Sequence, residues 1–129
     1  MTDGYVIVLT TISLDVDPSV LATRLVEERL AACVNVLPEM DSFFRWRGAV
    51  ERDQERQVII KTTTARLPAL ERRLHELHPY ELPEFLVLAV EQGSEAYLRW
   101  LTASTSVEAE AAPDIGSGEL LPGQSQKSD

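Results

Sequence analysis

Between positions 78 and 84 the chain reads His78-Pro79-Tyr80-Glu81-Leu82-Pro83-Glu84. An imidazole, a phenol and two carboxylates fall within one short run, a set that suits metal ligation, proton transfer or ion pairing. Each proline fixes its own φ and pushes the residue before it, His78 or Leu82, out of the helical region. The polar groups therefore ride on a stiff, extended connector. Such a segment is either a polar site or a tight join between a helix and a strand.

Each candidate has a bland counterpart. A neutral His78 could ligate a transition metal, or bond carbonyls at a helix C-terminus. Glu81 and Glu84 could serve as hard ligands or an acid/base pair, or pair with Arg29, Arg45 or Arg47. Lys61 stands in an otherwise apolar run beside Thr62-Thr63. A lysine there is either paired or lines a cavity, so it points to anion binding in a cleft between subunits or to an intersubunit salt bridge with Glu81 or Glu84. Trp46 could line the same cleft or pack at an interface. Cys33 follows a helix in an apolar run and is expected to be a small buried hydrophobe.

The elements that must hold these groups are legible from patterning. Tyr5–Thr11 is β-branched and apolar, a strand expected to be buried on both faces. Asp17-Pro18 starts a helix, with a carboxylate N-cap and proline at the first helical position. Its apolar face holds Leu21, Ala22, Leu25, Val26 and Leu30, with Arg29 inside that arc and in need of a carboxylate partner. Cys33–Leu37 and Ser42–Trp46 read as strand material interrupted at Pro38. Gly48 marks a turn and Gln57–Thr63 returns, making a long hairpin. A second helix is expected over 64–77, with Pro68 in its first turn and Leu67, Leu70, Leu74 and Leu77 along one side. Phe85–Val90 is a further buried strand, and Ser94 caps a last helix bearing Tyr97, Leu98, Trp100 and Leu101.

The order β-α-β-β-α-β plus a terminal helix is that of an α+β, ferredoxin-like (split βαβ) subunit with an antiparallel sheet. Two helices cover one face of such a sheet. Strands without alternation imply that the second face is covered too, and too few elements remain for that. A sheet-sized bare apolar patch is rare on a soluble monomer, so the chain is expected to oligomerise.

Bulk properties set the outer limits. With 129 residues, 44% hydrophobic and 26% charged, the chain has the size and composition of one globular domain. A net charge of -9 and a pI near 4.7 argue against nucleic acid. No apolar run approaches a membrane span, and one cysteine fits a reducing, cytoplasmic setting. Residues 1–103 carry 16 acids and 11 bases and form the expected domain. Residues 104–129 carry 5 acids and 1 base with little to bury, and read as a disordered acidic tail.

Five runs in order resemble the CutA divalent-cation-tolerance family. They are Glu28–Pro38, Trp46-Arg47-Gly48, Lys61-Thr62-Thr63, His78–Glu84, and Gly93 with Tyr97 and Trp100. The resemblance covers about residues 5 to 102. It implies a tight homotrimer with sheets facing inward, similar in architecture to PII signalling proteins, and a role in tolerance of copper and other divalent metals. Some bacterial relatives carry a Cys at the end of the first strand and two adjacent His before the Pro-Tyr. Here Thr10 and Leu77-His78 stand at those positions, so one of three ligands remains. There is no Gly-rich phosphate loop, nucleophile elbow, paired CxxC or H-E-x-x-H run, so a non-enzymatic role is expected, with copper or zinc as the divalent metal. The alternative is a PII-like module whose intersubunit clefts, lined by Trp46, Lys61, Tyr80 and Glu81, bind a small anion.

Overall fold

The computed structural model describes residues 4–107. Its elements run β1 (Tyr5–Ser13), α1 (Pro18–Glu27), β2 (Cys33–Trp46), β3 (Ala49–Thr63), α2 (Leu67–Leu77), β4 (Leu86–Ala89) and α3 (Glu95–Thr105), with a 3-10 turn at Thr64–Arg66. The strands form one antiparallel sheet in the order β2-β3-β1-β4. This is the element order expected from the sequence.

Local signals account for most boundaries. Asp17 caps α1, its carboxylate accepting from the Ser19 N–H at 2.9 Å, and the bond from the Ser19 hydroxyl, followed by that from the N–H, holds its pKa below the ordinary value. Ser94 caps α3 by accepting from the Tyr97 N–H. At the β2–β3 turn Arg47 and Gly48 both take positive φ, 51° and 84°, as a two-residue hairpin loop demands.

One face of the sheet and two helices make the core. Val6, Val8 and Ile12 of β1 with Val58 and Ile60 of β3 pack on Leu21 and Leu25 of α1 and Leu70 and Leu74 of α2. Strand alternation sends Ile7, Leu9, Ile59 and Lys61 to the opposite face, where they are only half-buried. α3 packs against β3 at one end of that side, where the Tyr5 hydroxyl meets Thr102 Oγ1 at 2.8 Å.

Several expectations need correction. β2 does not stop at Pro38; it runs on through a bulge between Val36 and Glu39. Pro38 is tolerated because β2 is an edge strand, where a missing N–H leaves no neighbour unpaired. β1 alternates between buried and half-buried from Tyr5 to Thr10 rather than being buried on both faces throughout; only at Thr10–Ile12 are consecutive residues buried. β4 is exposed along its whole length in a single chain, with Leu86 at 57% and Leu88 at 51% exposure, because it too is an edge. Val26 is exposed. Arg29 lies beyond the end of α1 with φ 60°, and its guanidinium reaches the carbonyl of Ser104 near the C-terminus of α3 instead of a carboxylate. Cys33 is half-buried on the open face rather than in the core. The boundary expected at residue 103 falls within the last turn of α3, which continues to a buried Thr105. From residue 108 on, the expected acidic tail lies outside the described residues.

Candidate functional site: the connector and the arm

Past the core, β2 and β3 continue as a two-stranded arm, and the connector from His78 to Glu84 runs against its base. His78 ends α2 in extended conformation, as proline at position 79 requires. Its ring is buried and its protonation pattern follows from its partners. The Thr11 carbonyl can only accept, so Nε2 carries the proton. The Tyr80 N–H can only donate, at 3.2 Å, so Nδ1 is the acceptor. Both nitrogens of a neutral imidazole are thus engaged.

The other polar groups of the connector are tied down in the same way. The Tyr80 hydroxyl donates to Glu55 Oε1 at 2.9 Å. Burial pushes this phenol well above its ordinary pKa, and the Glu55 hydrogen bond and carboxylate add to the shift, so it remains a donor. Glu81 pairs with Arg47 at the arm's turn at 3.1 Å, both side chains well exposed. Glu84 finds no arginine; it accepts at 3.0 Å from Gln57 Nε2, which also donates to the Thr10 carbonyl at 2.7 Å. The connector is a strap held at four points.

Strap and arm enclose a groove of about 870 Å3, which includes Trp46, Tyr80, Glu81 and Glu84 in its lining. These four expected residues are therefore brought together. Lys61 is not among them: it lies on the open face of the sheet beside Ile7 and Cys33, with no ion pair among the described residues. His78, at the start of the strap, does not line the groove either.

Glu51, Glu55 and Gln57 also line the groove and were missed. Their signal was present: Glu51-Arg52-Asp53-Gln54-Glu55-Arg56-Gln57 places an acid at every second position, so three carboxylates share one face of a strand.

Thr10 points into the helix-covered layer. Its Oγ1 is the one buried side-chain polar atom without a hydrogen bond among the described residues. With both His78 nitrogens occupied and no grouping of three His, Cys, Asp or Glu side chains close enough to hold an ion among the described residues, one chain offers no preformed metal cage.

Fold and site together define an α+β domain: a four-stranded antiparallel sheet, three helices, and a groove between an arm and a strap. Residues 6–104 match the family described as CutA1 divalent ion tolerance protein, and the chain belongs to that family. It is 44% identical over 99 residues to the divalent-cation tolerance protein CutA of Thermus thermophilus, covering 77% of this chain and 96% of that one. The solved Thermus structure matches with a TM-score of 0.75 at 45% identity, over 79% of this chain and 99% of that one. A structure described as the periplasmic divalent cation tolerance protein CutA of Archaeoglobus fulgidus matches with a TM-score of 0.74 at 29% identity, over 79% and 99% of the two chains. Human protein CutA is 44% identical over 85 residues, which are 66% of this chain and 48% of that protein. The chain thus spans about half the length of its human and mouse relatives.

Proposed function

We propose that this chain is the ferredoxin-like subunit of a cytoplasmic homotrimer that serves divalent-cation tolerance, with copper-type metals as its cargo, by binding rather than catalysis. The family assignment carries the tolerance role. What supports assembly is β4, whose Leu86, Val87 and Leu88 are largely exposed on an edge strand beside the half-buried Ile7 and Leu9. An apolar, unpaired edge of this kind invites another chain. The strand order, with α1 and α2 packed on one face, supports the ferredoxin-like reading. The single cysteine supports a reducing compartment.

Metal ligation at His78 requires the ring to surrender the Tyr80 N–H or the Thr11 carbonyl. Metal therefore binds weakly, or at sites completed where subunits meet. Calorimetric titration of Cu(II) and Zn(II) into the protein and into His78→Ala, with light scattering on both, tests this. The expected result is a trimer whose metal binding is largely unchanged by the substitution. Loss of a saturable site in the variant would make His78 a ligand, and a monomer at micromolar concentration would overturn the assembly.

A second reading rests on Lys61. A half-buried ammonium among Ile7, Ile59 and Cys33 needs a counter-charge, which a small anion in a PII-like intersubunit cleft would provide. Lys61→Met should abolish anion binding and keep the trimer. If the variant dissociates instead, Lys61 bridges subunits.

A further inference from the structure

The chain has two imidazoles, and the fold gives them opposite circumstances. His78 is 9% exposed with both ring nitrogens engaged, so it has no lone pair to offer an ion. His75 is exposed in the last turn of α2, and neither of its nitrogens has a hydrogen-bond or ion-pair partner among the described residues.

α2 places a carboxylate beside that free ring. Glu71 stands one turn earlier on the same side of the helix. Residues four apart on a helix have Cβ atoms roughly 5–6 Å from each other, so an imidazole and a carboxylate can meet at one ion. Paired helical donors at this spacing hold zinc in other proteins. Glu76 is already committed, tied at 3.0 Å to Arg73, which also grips Glu28 at 2.9 Å. Glu71 has no ion pair among the described residues. Glu71 and His75 are thus the two uncommitted donors of a shallow hollow shared with Pro68, Arg72 and Glu76.

The helix end adds a field of the right sign. α2 stops at Leu77, and the extended His78 and Pro79 return no backbone N–H to its last carbonyls among the described residues. The negative end of the helix dipole therefore stays uncapped close to His75, where it favours a cation. The hollow is also accessible. Leu70 and Leu74 turn the inner side of α2 into the core, leaving Glu71 and His75 on the outer side, away from the sheet face that carries Lys61.

We propose that Glu71 and His75 form a two-donor copper(II) site, one carboxylate oxygen and one imidazole nitrogen, with waters completing the coordination. A nitrogen–oxygen pair suits the tetragonal geometry of Cu(II), and Cu(II) leads the divalent affinity order, with zinc below it. With only two protein donors the ion is held weakly and exchanges readily. The site names donors for the metal-binding reading above and rests on that reading for its role in tolerance.

The test is titration of Cu(II) into the full chain, followed by calorimetry and by electron paramagnetic resonance, which reads nitrogen bound to the ion. One site per chain with one coordinated nitrogen is expected. His75→Ala should weaken it by about tenfold or more and remove the nitrogen signal. Glu71→Gln should weaken it less, and Arg72→Gln, which removes a neighbouring positive charge, should tighten it. His78→Ala should leave it unchanged. Positions 71, 72 and 75 are exposed, so these variants keep the fold. Saturable copper binding that is indifferent to His75→Ala, or that is lost in His78→Ala instead, would overturn this site and leave the metal-binding reading standing. No saturable binding by the parent chain would overturn both.

Discussion

The two halves of β3 belong to one strand and live in different media. From Val58 to Thr63 its inward residues are sealed under α1 and α2, with Val58, Ile60 and Thr62 without exposure. The Thr62 hydroxyl is satisfied by the Leu30 carbonyl at 2.8 Å. From Ala49 to Gln54 every residue is exposed, and the strand is held by its ladder to β2 and by charges. The first half specifies the fold by excluding water. The second half is free to carry carboxylates, and to pair with the aromatic end of β2, because the core does not depend on it.

The strongest way to break this contrast is to cut side chains on each half. Ile60→Ala should destabilise by about 2–5 kcal/mol, through lost burial and the cavity left behind. Val50→Ala, at a 70% exposed position, should stay within about 0.5 kcal/mol. Urea unfolding at one fixed protein concentration reads both, so that self-association, which makes stability depend on concentration, does not enter the comparison. Comparable losses would mean that the arm is folded into a hidden interface.

His78 joins the two regions. Its replacement by Ala orphans the Thr11 carbonyl and the Tyr80 N–H, so a loss of about 1–3 kcal/mol is expected together with faster hydrogen exchange across residues 79–84. Unchanged exchange there would show that the strap is held by Tyr80 and Glu84 alone.

Thr10 gives a smaller effect of opposite sign. Thr10→Val swaps an unpaired buried hydroxyl for a methyl of similar shape and should stabilise by about 1 kcal/mol. A loss of stability would reveal a partner for that hydroxyl, such as a buried water.

The smallest effect is alkaline. Tyr80 has its pKa raised in the folded protein, first by burial and then by Glu55, from an ordinary value of 10.0. Its proton is retained by the folded chain and released by the unfolded one, so its contribution is intact below about pH 10 and is lost as pH rises beyond it. The alkaline fall in stability should be shallower in Tyr80→Phe. Equal slopes would assign the alkaline limb to other groups.

How far the site could be read depended on how local its causes were. Trp46, Tyr80, Glu81 and Glu84 were identifiable as polar or aromatic residues on stiff segments, and they do meet in one groove. Lys61 looked like their companion because it was the odd charge in an apolar strand. Strand geometry, however, puts it four residues from Gln57, outside the groove. His78 was a ligand candidate because the chain does not announce that the carbonyl of Thr11, 67 positions away, accepts from its Nε2–H. Glu55 lies in a charge-rich run whose alternation marks a strand face but not burial; it is buried in the fold, where Tyr80 donates to it.

What the sequence determined alone was the succession of elements and their limits: the Asp17 and Ser94 caps, the Pro68 helix start, the Gly48 turn and the leucine stripe of α2. These depend on φ restriction, side-chain periodicity and hydrogen bonds reaching a few residues along the chain. The tertiary structure decided the edge positions of β2 and β4, the bulge that absorbs Pro38, and the partners of His78, Tyr80, Glu81 and Glu84. Those depend on which strands become neighbours, and neighbourhood is set by burying the β1–β3 face under two helices, a cooperative outcome that no short stretch of residues encodes.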